Sequence, residues 1–244
     1  MLATPSKVLR GYSTRMTERT TRKFQLCLVL AVGFLVPFVR SLGIFLGIWH
    51  PGPATGYRFI RAISFELVGL LCLYIVLRYQ RKRFRDIGLS LPIRLAELGH
   101  SFALFFGALF GSTLLHFILT LFYVSPGRRL QPSFDRAALF GTTLGVLPVL
   151  FALLNPFFEE LMVRAFLISE VEAIYRSTAL AVFISVALQI SYHLYQGLPA
   201  ALSYIPAFLL FSLYFVRTRR ILPVILAHMF MDVSALALYF HHLH

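Results

Sequence analysis

Acidic residues are scarce in this chain, with ten Asp and Glu against 23 Lys and Arg, for a formal net charge of +13. Charge of either sign occupies only 14% of the 244 positions, whereas 58% are hydrophobic and the mean hydropathy is +0.77. A chain so short of charge cannot cover itself with a polar shell, which excludes a soluble globular domain and reads as an integral membrane protein. There are only two cysteines, Cys27 and Cys72, and both fall inside apolar runs. There a thiol behaves as a small hydrophobe, so a disulfide framework and a cysteine zinc site are excluded. No internal repeat or low-complexity stretch is present. Residues 1–23 lack the short apolar core and small-residue cleavage site of a signal peptide, so the first span reads as a retained anchor.

What is present is apolar length. About 20 apolar residues cross the hydrocarbon core as a helix, and suitable windows lie at roughly 24–49, 59–78, 99–124, 137–158, 178–196, 199–216 and 221–240. The expected fold is all-α, a polytopic membrane helix bundle of about seven transmembrane helices (six to eight). The expected organisation is a basic cytoplasmic segment, 1–23, followed by a single membrane domain, 24–244, whose catalytic core covers about 137–240. Pro37, Arg40 and Gly43 interrupt the first window, predicting a kink or a split into spanning and re-entrant parts. The stretches "HPGPATG" (50–56) and "SPGRRLQPSFD" (125–135) read as loops on the outer side.

The basic residues sort by loop. Lys7, Arg10, Arg15, Arg19, Arg22 and Lys23, then Arg78, Arg81, Lys82, Arg83, Arg85 and Arg94, fall on one side together with Arg164, Arg176, Arg217, Arg219 and Arg220. Arg58, Arg61, Arg128, Arg129 and Arg136 fall on the other, and Arg40 lies in the first span. This bias predicts a cytoplasmic N-terminus. The charge is accounted for by topology and by attraction to anionic lipid, so no nucleic-acid partner is implied.

The chemistry-bearing residues lie late in the chain. In "NPFFEELMVRAFL" (155–167), Glu159, Glu160 and Arg164 stand inside an apolar run. Glu160 and Arg164, four apart, share a helical face and can pair, whereas Glu159 lies about 100° round and is free for another task. Pro148 and Pro156 bracket the approach and predict a helix break just before Glu159. His193, in "ALQISYHLYQG", comes near the end of the fifth window, with Tyr192 and Tyr195 as belt or pocket wall. His228 and Asp232, in "LAHMFMDV", share a face of the last window. Glu66, in the second window, is as well explained by a pair with Arg40 or Arg61 and is left outside the site. Ionisable groups at membrane depth mark functional sites. A water held between a Glu and a His can be activated, and neighbouring donors can stabilise the oxyanion that forms, which is the chemistry of peptide hydrolysis.

The combination of "EELMVR" (EExxxR), a histidine about 30 residues later and "HMFMD" (HxxxN/D) resembles the CPBP family of membrane-embedded glutamic endopeptidases. That family includes CAAX prenyl proteases and bacteriocin-processing and immunity-associated proteins. The likeness covers about residues 150–240 and includes "SLYFVRTRRILPVILAH". It implies that Glu159 is the general base, that His193 holds the same water, that His228 and Asp232 line the oxyanion side, and that Glu160 and Arg164 form the supporting pair. The chain departs from the pattern at Gln189, where an aromatic is frequent, and at Asp232, where many members have Asn. An ionised Asp cannot donate to an oxyanion, so Asp232 must be protonated or must orient His228, and the second is favoured.

Glu159, Glu160, His193 and His228 are acceptable zinc donors. The chain has no HExxH spacing, however, so a site with no cofactor is favoured. Expected partners are the lipid bilayer and a membrane-associated peptide or protein substrate, prenylated or leader-bearing, in a bacterial cell membrane. The competing reading is a non-catalytic member of the same fold, an immunity or scaffold factor, or a proton-coupled transporter. Against a transporter, the two halves show no paired broken spans.

Overall fold

The structure is a computed structural model that describes residues 5–50, 52–91, 94–123, 137–142 and 144–241, with side chains from residue 18. The loop 125–135 and its arginines therefore lie outside the described residues. Among the described residues all regular structure is helical. Helix α1 (Pro5–Phe45) leads to α2 (Gly56–Tyr79), a 3-10 turn at Phe84–Ile87, α3 (Leu95–Tyr123) and the short α4 (Ala137–Phe140). Then come α5 (Val146–Glu159), a π-helical segment at Glu160–Phe166, α6 (Leu167–Tyr175) and α7 (Thr178–His193). A 3-10 turn (Leu194–Gln196), α8 (Leu198–Ser203), α9 (Ile205–Thr218) and α10 (Leu222–His241) complete the order.

Among the described residues, seven segments are long and apolar enough to cross a membrane: Glu18–Phe45, Gly56–Tyr79, Leu95–Phe122, Val146–Tyr175, Thr178–Gln196, Leu198–Thr218 and Leu222–His241. The protein is an integral membrane protein of the helix-bundle class, as the hydropathy predicts. Two sequence expectations are corrected. Helix α1 passes through Pro37, Arg40 and Gly43 without splitting. The fourth span covers Val146–Tyr175 in place of 137–158, and the helix does not break before Glu159. Pro148 sits in the first turn of α5, where its missing donor costs little. Pro156 lies inside the helix, and the irregularity that follows it is a widened π turn. Arg164 consequently belongs to the middle of a span and drops out of the loop charge.

The span α5–π–α6 is the centre of the bundle, with α2 and α10 against α5, and α7 against α6. Every residue of the π segment is buried. Two glycines let the outer helices close on it. A Cβ at Gly33 of α1 would lie 2.5 Å from Met162 Cε, and one at Gly69 of α2 would lie 2.6 Å from Phe158 Cε2. Phe158 also packs its ring against Phe34 at a 5.4 Å centroid separation. This close approach fixes the two residues that follow Phe158, which are the glutamates.

The ends of α6, α9 and the loop after α2 are joined by charge. Glu170, fully buried, accepts from Lys82 at 2.7 Å and from Arg22 at 3.5 Å. Glu172 pairs with Arg219 at 2.7 Å and Glu97 pairs with Arg220. Helices α6 and α9 end on Arg176 and Arg219 in the left-handed conformation, and α7 starts on Ser177, whose hydroxyl accepts from the Leu180 N–H at 3.2 Å.

Candidate active site

Three spans bring the sequence-selected polar residues together, with the π segment at the centre. Such a segment turns more widely than an α-helix and leaves backbone carbonyls to be satisfied from outside. Ser185 of α7 meets that need by donating its hydroxyl to the Val163 carbonyl at 3.0 Å. One turn later Gln189 donates to Ser185, at 3.2 Å to the carbonyl and 3.4 Å to the hydroxyl, which aims its own carbonyl oxygen at Arg164.

Arg164 is fully buried and is held from three directions. It donates to Glu160, which is four residues back, and to Gln189 Oε1 at 2.7 Å, and its guanidinium lies 5.2 Å from the Phe211 ring centroid. Glu160 is equally buried and uses both oxygens, Oε2 for Arg164 and Oε1 for His228 Nδ1 at 2.7 Å. The expected Glu160–Arg164 pair is therefore present, and Gln189 completes it from α7.

His228 and Asp232 meet across one turn of α10, with Nε2 to Oδ1 at 3.6 Å. Asp232 Oδ2 accepts from Asn155 Nδ2 of α5 at 3.4 Å. His193 contacts its own helix: Nδ1 lies 2.8 Å from the Gln189 carbonyl. A carbonyl only accepts, so Nδ1 carries the proton, and in the neutral form of the ring Nε2 is the acceptor. The ring is walled by Tyr192, Tyr204 and Phe208 at centroid separations of 4.7, 5.4 and 5.4 Å.

Glu159 accepts from the Tyr192 hydroxyl at 2.7 Å through one oxygen, and among the described residues the other has no hydrogen-bond partner. Its electrostatic neighbours are His228, Glu160 and Arg164, while those of His193 include His228 and Asp232. Glu159 and His193 are not hydrogen-bonded to each other, but the adjacent Tyr192 ties the α7 terminus to the carboxylate. Glu159 and His193 thus share His228 as an electrostatic neighbour, and the four residues offer distinct capacities: a carboxylate with a spare oxygen, an imidazole whose Nε2 is not used by its own helix, and a His–Asp pair.

Sequence reasoning set aside or missed three members of this cluster. Asn155 precedes Glu159 by four residues on the same face, which is the signal that would have found it. Gln189 stands out only as a departure from the family pattern. Glu66 is 4% exposed, forms no ion pair with Arg40 or Arg61 among the described residues, and leaves Oε2 buried without a partner. Its electrostatic neighbours are Glu159 and Asp232.

The donor set does not fit a zinc ion. Glu160 spends both oxygens on Arg164 and His228, and among the described residues no three acids, histidines or cysteines are grouped to ligate one.

Residues 141–234 match the family described as "Rce1-like: Type II CAAX prenyl endopeptidase Rce1-like". Comparison with curated proteins and with solved structures returned no match. The matched segment contains every residue of the cluster except Glu66. The segment 141–234 is therefore similar to the Rce1-like type II CAAX prenyl endopeptidases.

Proposed function

We propose that the protein is an intramembrane endopeptidase of the glutamic type that hydrolyses a peptide bond in a membrane-associated, prenylated or leader-bearing polypeptide. The observation that carries this reading is the unpartnered oxygen of Glu159, whose other oxygen is held by Tyr192, the residue next to His193 on α7. A water between Glu159 and His193 gives a proton to Glu159 as its oxygen attacks the scissile carbonyl carbon. That proton then passes to the leaving amine nitrogen as the C–N bond breaks.

Glu160 and Arg164 are sealed from substrate and act as positioning residues, with Glu160 holding His228 by Nδ1. His228 in its imidazolium form turns the Nε2 proton towards the oxyanion, and Asp232, 3.6 Å from that nitrogen, orients the ring. This assigns Asp232 the orienting role, since an ionised carboxylate has no proton to donate. The reading places the N-terminus in the cytoplasm of a bacterial cell, which labelling of single cysteines introduced into the loops tests.

Cleavage of a farnesylated CAAX-type peptide and of an unprenylated leader peptide, with full-length protein in lipid vesicles, tests the assignment. Glu159→Gln should lower kcat/KM about 10³-fold, and His193→Ala and His228→Ala about 10²-fold each. Helical circular dichroism and the detergent gel-filtration profile should be unchanged. Near wild-type turnover by a folded Glu159→Gln protein overturns the proposal.

A further inference from the structure

At the bundle end opposite the Glu170 ion pairs, a cavity of about 540 Å³ is lined by Arg40 and Ile44 of α1, Trp49 and His50 of the connection, and Arg58 and Arg61 of α2. Its three arginines are electrostatic neighbours of one another. Arg58 donates to the Gly52 carbonyl and, at 3.3 Å, to the Pro53 carbonyl, which orients the group without neutralising it. Among the described residues, Arg40 and Arg61 have no hydrogen-bond partner and none of the three has a carboxylate partner.

The acid shortage of the chain makes this significant. Of the ten acidic residues, Asp135 lies outside the described residues. Glu66, Glu159, Glu160 and Asp232 are in the bundle interior, and Glu18, Asp86, Glu97, Glu170 and Glu172 are paired elsewhere. On the opposite face five cations, Arg22, Lys82, Arg85, Arg219 and Arg220, have carboxylate partners, whereas this face gathers three guanidinium groups around a space with none among the described residues.

Converging like charges repel unless a counter-anion joins them. A single carboxylate supplies one negative charge. A phosphate monoester supplies about 1.5 to 2, with three acceptor oxygens that match guanidinium forks. The cavity also lies at a span terminus, where Trp49 takes the place of an interfacial aromatic. Gly43 lets that indole lie against α1 one turn beyond Arg40, since a Cβ there would collide with it.

We infer that the Arg40–Arg58–Arg61 cavity is a binding site for a dianionic phosphate group, carried by a lipid headgroup or free in solution. The site is separate from the proteolytic cluster but adjoins it. Ser41, next to Arg40, accepts from the Tyr195 N–H at 2.9 Å, and the Tyr195 ring stands 6.2 Å from that of His193. An occupant would brace the junction of α1 with the end of α7.

Trp49 is the single tryptophan of the chain, so its emission reports on this cavity alone. Full-length protein in detergent is titrated separately with inorganic phosphate and with dihexanoyl phosphatidic acid. Sodium chloride at matched ionic strength and an uncharged octyl glucoside addition are the controls. A saturable change in Trp49 emission with inorganic phosphate supports a site for the free anion, and one with the lipid alone supports a headgroup site. The Arg40→Gln/Arg61→Gln variant should raise the half-saturating concentration at least about tenfold, and Arg40→Lys/Arg61→Lys, which keeps the charge but loses the forks, should weaken binding by less. The inference is overturned if neither phosphate probe gives a saturable change, if the controls reproduce it, or if the folded glutamine variant responds as the wild type does.

Discussion

The central span and the helices around it solve the membrane problem in opposite ways. In Val146–Tyr175, half of the most apolar window is buried against protein, whereas in Leu95–Phe122 only 17% is. Helix α3 turns Phe102, Phe106, Phe110, Phe117 and Phe122 outward, where lipid serves as their solvent. The central span turns Glu159, Glu160 and Arg164 inward and finds a partner for each from another helix. A helix can carry ions through a bilayer if it is wrapped by other helices, and the wrapping helices then need only be apolar.

Substitutions should therefore be costly at the centre of this arrangement and mild at its edges. The largest effect on stability is expected at Arg164. Arg164→Met leaves Glu160 buried with only His228 as partner and should cost roughly 3 kcal/mol in reversible unfolding by denaturing detergent. Arg164→Lys should recover little of it, because one ammonium cannot reach both Glu160 and Gln189 in the fork geometry. A stability loss below that of a lipid-facing substitution would break the comparison.

A smaller effect is expected where the central span leaves the bundle. Glu170→Gln weakens the links to Lys82 and Arg22, both about 28–29% exposed, so screening should hold the loss to about 1 kcal/mol. That loss should shrink further at high salt in the same unfolding measurement. The smallest effect is expected at Glu66 of the peripheral α2. Glu66→Gln preserves shape and should change the cleavage rate by no more than about twofold. A hundredfold loss would add Glu66 to the catalytic residues proposed above and sharpen the boundary between centre and periphery.

What the sequence discloses follows the same division. The spans of α2, α3, α7, α9 and α10 can be read to within a few residues, because uninterrupted apolar runs announce themselves without tertiary context. The central span is misjudged by nine residues at its start and seventeen at its end, since Glu159, Glu160 and Arg164 depress local hydropathy. Their mutual neutralisation exists only in three dimensions.

The charged cluster members stand out as polar intrusions in apolar surroundings. Asn155 and Gln189 do not, because an uncharged amide costs too little at depth to be conspicuous. Glu66 escapes for another reason. Its sequence neighbourhood offers arginines that the folded chain directs to the cavity beside Trp49, and its actual neighbours come from helices far along the chain.

The π segment at Glu160–Phe166 also has a bearing on insertions and deletions. Bonds of the i→i+5 type accommodate one more residue per turn of the ladder than a regular helix requires. Removing one residue between Glu160 and Arg164 would let the ladder close to ordinary i→i+4 bonding while α5 and α6 keep their places. Elsewhere in the span the same deletion would rotate everything beyond it by about 100° and strip the cluster of its partners. The longest buried span of the protein thus has a single place where its length is adjustable, and that place lies between the acid and the base of its central ion pair.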